Sequence, residues 1–419
     1  MYGLGGIRIT GGIPLDGEVR IQGSKNAALP IMAAALLNKG TTVLKGCTRI
    51  ADVFLMEKVL WGLGAGTRWK GNALEIFARQ IRNCQVEKDL GEKMRSSIVL
   101  LGSLLGRCKE AVLPFPGGCV IGARPIDLHL EALKKLGGEF REENGRLYAR
   151  TRGLCGGSIS FSRSSVGATQ NAVLGAVCAK GTTVIRGCSR EPEIGWLCRF
   201  LNQAGGQIQG IGTSCLVIRG VPRLHDTEFT IPADRIAAGT YVCASAITRG
   251  GGVLLEAPVG EMGALLAAYE KIGGQYTYNS GKLVLCSQRA FGPVKWLETG
   301  VYPGFPTDLQ SVFLSVLTCA RGVSRVKENI FEDRFKVVPQ LRKMGAHIFQ
   351  MEGQTVKIRG GKLLGNTVRA EELRGGAALV VAGLGAQGET YVENREFIER
   401  GYEDISRDLN CLGARTEKD

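Results

Sequence analysis

"SVGATQNAVLGAVCAKGTTVIRGCSREPEIGWLCRFLNQAGG" (residues 165–206) reads as helix, strand, helix and stop. From Val166 to Cys178 nearly every side chain is small or apolar, the composition of a helix buried on all sides. "TTVI" (182–185) is short and β-branched and predicts a strand. Leu197, Leu201 and Ala204 follow at a spacing of four and then three, one face of a second helix, and Gly205 ends it.

The same ending recurs at Gly64, Gly137, Gly205, Gly273, Gly345 and Gly413, in steps of 68 to 73 residues. The apolar triples recur with it: Met56/Leu60/Leu63, Leu265/Tyr269/Ile272, Val337/Leu341/Met344 and Ile405/Leu409/Leu412. In the second unit the triple is His129/Leu133/Leu136, so a histidine stands where the five sister units carry an apolar side chain. It reads either as a partnered core histidine or as a support for nearby chemistry. Apolar first helices recur in "KNAALPIMAAALLNKG" (25–40) and "RIAAGTYVCASAITRG" (235–250). Hairpin-like stretches follow the stops, as in "GQIQGIGTSCLVIRG" (206–220).

The chain is therefore one unit written six times. A length of 419 residues exceeds what one core supports, since cores stop growing at about 250–300 residues. The fold class expected is α/β, in two domains of three units each. The boundary is expected near "EFTIPADR" (228–235). The last unit stops at "GARTEKD" without its closing hairpin, so the N-terminal "IRITGGIPLDGEVRI" (7–21) is expected to complete the second domain. That gives residues 24–231 as one domain and 1–23 plus 232–419 as the other.

A net charge of +14 with only 6% aromatics favours an anionic small molecule over nucleic acid, because base-stacking grooves need aromatics and clustered charge. The 13 cysteines show no framework spacing and no CxxC pair, which suits reduced thiols in a cytoplasmic protein. No secretory signal or membrane-length apolar run is expected. Three histidines are too few and too scattered for a zinc site, and neither a phosphate-binding loop nor a dinucleotide fingerprint is present. No metal and no cofactor are expected.

Basic residues recur at strand-to-helix junctions. Lys25, Arg95, Arg235 and Arg374 stand at or beside the starts of first helices, and Asp308 begins another. Arg49, Arg124, Arg190, Arg334 and Arg400 precede second helices. A helix start disfavours cations by a few tenths to about 1 kcal/mol, but free N–H donors beside a guanidinium make an anion site. The expected ligand carries several phosphates or carboxylates.

At "GSKNAALP" (23–30), "KMRSS" (93–97), "PGGCVIGARPIDLH" (116–129), "SVGAT" (165–169), "REPEI" (190–194), "FPTDLQ" (305–310), "FEDRF" (331–335) and "RGYE" (400–403), the chain resembles the UDP-N-acetylglucosamine enolpyruvyl (1-carboxyvinyl) transferase family. The resemblance spans about residues 7–414. It implies two inside-out α/β domains of three βαβαββ-like units, with the active site in the cleft between them. It implies transfer of enolpyruvate from phosphoenolpyruvate to the sugar 3′-hydroxyl, with release of phosphate through a tetrahedral ketal. That reaction opens peptidoglycan synthesis in the cytoplasm, on which cell shape and division depend, and it is the target of fosfomycin.

The resemblance also carries residue roles. Cys119 is the acid on a mobile loop, Asp308 takes the hydroxyl proton, and Lys25, Asn26, Arg124 and Arg400 hold phosphoenolpyruvate. Arg95, Arg124, Pro125, Ile126, Asp127, Leu128, Arg163, Ser164, Ser165, Val166, Asp308 and Ile330 match contacts to the nucleotide sugar. Arg334, Arg374, Glu372 and His129 are further candidates. Arg163 and Glu372 stand where the family commonly has lysine and aspartate, changes of reach rather than of charge. No membrane, nucleic acid or obligatory protein partner is implied. The rival readings are a shikimate 3-phosphate transferase, an RNA 3′-phosphate cyclase and a catalytically dead anion-binding relative. "SKNAALP" and the cysteine loop argue against the first, the lack of a histidine in a glycine-rich setting against the second, and intact Lys25, Cys119, Arg124, Asp308 and Arg400 against the third.

Overall fold

The computed structural model describes residues 5–115, 125–288 and 292–419, so the expectations for Cys119 and Arg124 lie outside the described residues. Each of the six signature glycines ends its helix at φ between 91° and 97°, a left-handed conformation in which a Cβ is unfavourable. Its N–H bonds the carbonyl three residues back. The next N–H reaches the carbonyl five residues back, at 2.8–3.1 Å, a Schellman closure. Those second acceptors are Leu60, Leu133, Leu201, Tyr269, Leu341 and Leu409, the middle member of every triple. All the triples are buried.

Among the described residues there are six sheets, one per unit. In the third unit the order is 207–209, 215–219, 182–186 and 158–160, the last pair parallel. The sixth unit repeats that order with one exchange: 415–418, then 6–10, then 389–393, then 367–369. The N-terminal strand Gly6–Thr10 thus fills the place of the hairpin's return strand, with Ile9 opposite both Thr390 and Thr416. Glu18–Arg20 lies parallel to residues 253–255 in the fourth unit's sheet, and Thr227–Thr230 parallel to residues 42–45 in the first unit's sheet. The second unit's sheet has three strands, and a lone bridge from Gln85 to Val112 marks the place of the fourth.

The chain divides into two compact units, one holding residues 23–115 and 125–232, the other 5–22 and 233–419. Each has its own apolar core. In the second, helices Arg235–Thr248, Thr307–Thr318 and Leu373–Gly385 pack pairwise on one another and are buried along nearly their whole length. In the first, the helix Leu100–Cys108 packs on both Lys25–Ala35 and Val166–Ala176. The strands alternate buried and exposed residues, as in Thr182–Arg186 and Lys282–Cys286, so the sheets are the outer layer and the helices the inner one. Among the described residues no helix is long and apolar enough to cross a membrane.

One first helix departs from its sisters. In the second unit it opens as a 3-10 turn, Arg95–Val99, and becomes α-helical at Leu100. The Asn171 side chain enters the ladder there: Nδ2 donates to Ile98 O at 2.8 Å, and Oδ1 accepts from Gly102 N at 2.7 Å. The two backbone groups that would bond each other in an α-helix bond the amide instead.

Candidate active site

The compact unit of residues 5–22 and 233–419 brings four of the candidates together. Asp308, in the first turn of Thr307–Thr318, accepts from Arg334 Nη2 at Oδ1 (2.5 Å) and from Arg374 Nη2 at Oδ2 (2.9 Å). The arginine side chains are 2% and 4% exposed, whereas Asp308 keeps 28% of its side chain accessible. Arg334 Nε also donates to the Thr307 carbonyl, and its Nη1 lies 3.9 Å from Glu372. Two forked cations on one carboxylate fix its plane. Burial pulls the Arg374 guanidinium pKa down, but Asp308, Tyr402 and Asp234 more than reverse this and raise it above the ordinary arginine value.

Glu372 caps the helix Leu373–Gly385, accepting from the backbone N–H of Arg374 and of Gly375. Asp234 caps Arg235–Thr248 in the same way, and Ser24 caps Lys25–Ala35. The basic residues at these helix starts therefore follow capping acceptors, which offsets the local charge penalty. Ile330 lies in a loop tied to the buried Glu328, whose Oε1 accepts from Ile330 N, Phe331 N and Thr307 Oγ1. Arg400 stands in the turn before Ile405–Cys411, two residues from the buried Tyr402.

The compact unit of residues 23–115 and 125–232 holds the remaining described candidates. Lys25 Nζ pairs with Asp52 Oδ2 at 3.2 Å, both side chains largely buried. Asn26 follows Lys25 in the same helix turn. Arg163 Nη2 reaches both oxygens of Asp127, at 2.8 and 2.6 Å, and these bonds hold the Asp127 carboxyl below its usual range. The Ser164 hydroxyl meets Ser189 at 2.7 Å. Ser165 caps the helix that begins at Val166. Pro125 is exposed, while Ile126 and Leu128 are buried beside Asp127. Arg95 begins the 3-10 turn and acts electrostatically on His129. His129 is buried, and its Nδ1 lies 2.7 Å from Asn171 Nδ2. The amide is a donor, so that ring nitrogen accepts and the proton sits on Nε2. Burial first, then Arg95, lower the imidazole pKa to about 4.

Sequence reasoning missed several residues that the fold adds to these groups: Asp52, Glu328, Asn171, Thr240 and Tyr402. Asp52 had a local signal, being a carboxylate four residues before Met56 on the apolar face of Ala51–Leu63. Glu328 bonds backbone two and three residues on, whereas Asn171, Thr240 and Tyr402 bond residues distant in the chain and had no local signal. Among the described residues no group of three or more His, Cys, Asp or Glu could hold a metal.

Residues 9–409 match the EPSP synthase (3-phosphoshikimate 1-carboxyvinyltransferase) family. The chain is 45% identical over 413 residues to UDP-N-acetylglucosamine 1-carboxyvinyltransferase 2 of Caldanaerobacter subterraneus subsp. tengcongensis, covering 98% of this chain and 99% of that one. It is 42% identical over 422 residues to the UDP-N-acetylglucosamine 1-carboxyvinyltransferase of Sphingopyxis alaskensis, covering 98% of each. Its fold is similar to the enolpyruvyl transferase NikO of Streptomyces tendae (TM-score 0.89, 22% identity, 99% of each chain covered). It is also similar to EPSP synthase of Acinetobacter baumannii (TM-score 0.77, 16% identity, 99% and 100% covered). With near-complete coverage at this identity, the chain belongs to the enolpyruvyl (1-carboxyvinyl) transferase family and is an enzyme of its UDP-N-acetylglucosamine 1-carboxyvinyltransferase group.

Proposed function

We propose that the chain transfers the enolpyruvyl group of phosphoenolpyruvate to the 3′-hydroxyl of UDP-N-acetylglucosamine and releases phosphate. The observation that carries this reading is the 45% identity, over almost the whole of both chains, to a relative of that name. The chemistry needs a base for the hydroxyl, an acid for the methylene carbon and cations for phosphate and carboxylate. Asp308 takes the hydroxyl proton as the sugar oxygen bonds C2 of phosphoenolpyruvate. Cys119 protonates C3, giving the tetrahedral ketal. Loss of a C3 proton then expels phosphate and restores the double bond.

In this reading Lys25, Asn26, Arg124 and Arg400 hold phosphoenolpyruvate, and Arg334 and Arg374 add positive charge around Asp308. Arg95, residues 124–128, residues 163–166 and Ile330 take the nucleotide sugar. The product feeds peptidoglycan synthesis in the cytoplasm, and both substrates are small molecules.

The test is phosphate release from phosphoenolpyruvate with and without UDP-N-acetylglucosamine. Release that depends on the nucleotide sugar supports the reading. The family match includes the 3-phosphoshikimate activity, so shikimate 3-phosphate is the second acceptor to try. Release with it alone transfers the assignment to that reaction, and release with neither leaves an inactive anion-binding relative.

A further inference from the structure

The sheet of the fifth unit of the repeat has an unusual outer face. Its strands run in the order 297–298, 323–327, 355–359 and 347–350. Val326, Ile348, Val356 and Ile358 face the core and are buried. The register arranges the outward residues in rows. Lys357 lies opposite both Arg325 and Phe349, and Arg359 opposite both Val323 and His347. Lys327 lies opposite Thr355 on one side and Glu298 on the other. One residue back from the Leu297–Val326 pair, Trp296 falls beside Arg325. The middle row therefore reads Phe349, Lys357, Arg325, Trp296, two adjacent cations between two aromatics.

Like charges directly opposite each other destabilise a sheet. Elsewhere the sheets answer such cations with carboxylates: Arg68 and Lys70 pair with Glu75, Arg150 with Glu139, Lys282 with Glu18 and Arg369 with Glu393. Among the described residues, the side chains of Arg325, Lys327, Lys357 and Arg359 make no ion pair or hydrogen bond. Arg325 and Arg359 are exposed, and the two lysines are half-buried. Phe349 and Trp296 are 52% and 48% exposed, and Val323 and Met351 are exposed beside them.

We propose that this face docks the protein peripherally on an anionic lipid surface, its four cations against lipid phosphates and Phe349 and Trp296 at headgroup depth. Anionic leaflets attract lysine and arginine, and aromatic side chains settle at the interface. The face spans about 14 Å across its strands and about 14 Å along them. That is about 200 Å², against about 800 Å² per partner in a stable protein interface. Attraction to a charged lipid surface adds residue by residue and needs no minimum footprint. The two aromatics stand three strands apart, about 14 Å, too far to stack successive bases of one nucleic-acid strand. None of these residues is assigned to the transfer reaction, so docking and catalysis can be read separately.

The test is sedimentation of the full chain with vesicles of phosphatidylcholine, alone or mixed in equal parts with phosphatidylglycerol. The protein is expected to sediment with the mixed vesicles only, and to be released by high salt, which screens surface charge. Arg325→Gln/Lys357→Gln is expected to weaken binding about twenty-five-fold, about fivefold for each cation. Phe349→Ser/Trp296→Ser should also weaken it while the salt dependence persists. Both double variants should keep wild-type phosphate release and unfolding temperature. No sedimentation with mixed vesicles, equal sedimentation with phosphatidylcholine alone, or unchanged binding by Arg325→Gln/Lys357→Gln overturns the proposal. Tighter retention on polyglutamate or on a single-stranded oligonucleotide, lost in that same variant, also overturns it and gives the face to a protein or a nucleic acid.

Discussion

Asp308 and Arg374, 66 residues apart in sequence, meet at 2.9 Å, and Arg334 closes on the other carboxylate oxygen. One partly accessible acid is thereby gripped by two arginines that water scarcely reaches. Such a clamp orients the carboxylate through two charge-assisted hydrogen bonds.

Asp308→Asn keeps an acceptor for one arginine, so the fold should persist while kcat falls about a hundredfold to ten-thousandfold, the usual worth of a positioned base. Asp308→Ala strands two buried guanidiniums and should also cost about 3 kcal/mol of stability. Steady-state kinetics and urea unfolding read the two effects separately. Near-wild-type turnover in Asp308→Asn would remove the base assignment.

Fosfomycin should add covalently to Cys119 and to no other thiol, as read by peptide mass spectrometry. All 12 cysteines among the described residues are unbridged thiols. Burial pushes Cys84 and Cys198 up to about 12, and Cys178 and Cys188 up to about 11, so their thiolate fractions at neutral pH are small. Cys155, Cys286 and Cys411 are exposed and serve as internal controls. An adduct on any of them that persists in Cys119→Ala would contradict the prediction.

His129 should make the fold acid-sensitive. Its imidazole titrates near 4 in the folded chain against a reference of 6.5, so between those values the unfolded chain binds more protons. Stability is then complete above about pH 6.5 and declines as pH falls toward about 4, by about 3 kcal/mol over the window. Arg95 steepens the effect and Asp127 opposes it. In His129→Leu, the residue type of the sister units, urea midpoints between pH 4 and 6.5 should vary less than in wild type. An equally steep decline in that variant would place the sensitivity elsewhere.

Gly137→Ala should lose about 1–2 kcal/mol from backbone strain alone, because φ is 94° and an added Cβ would meet nothing nearer than 3.8 Å. Gly205→Ala should lose more, since its Cβ would also meet the His225 ring at 2.8 Å. Denaturant midpoints of the two variants give the order, and the reverse order would refute it.

The sixfold repeat could be read from residue order because its parts are local. A face recurring at four and three residues and a glycine in a left-handed cap depend only on neighbours within two turns of chain. The basic residues beside helix starts were visible for the same reason. The Asn171 insertion was not, since it replaces a backbone bond between Ile98 and Gly102 from 73 and 69 residues away.

Amino-acid order by itself determined the unit, its number, its helix stops and the cations at its junctions, because hydrophobic periodicity and cap chemistry act over a few residues. Tertiary structure alone decided that Gly6–Thr10 takes the return-strand place beside Glu389–Glu393. It alone joined Thr240 to Tyr402 across 162 residues, and Arg374 to Asp308 across 66. Hydrogen-bond partners in a core are chosen by whichever segments packing brings within about 3 Å, and no local pattern records that choice.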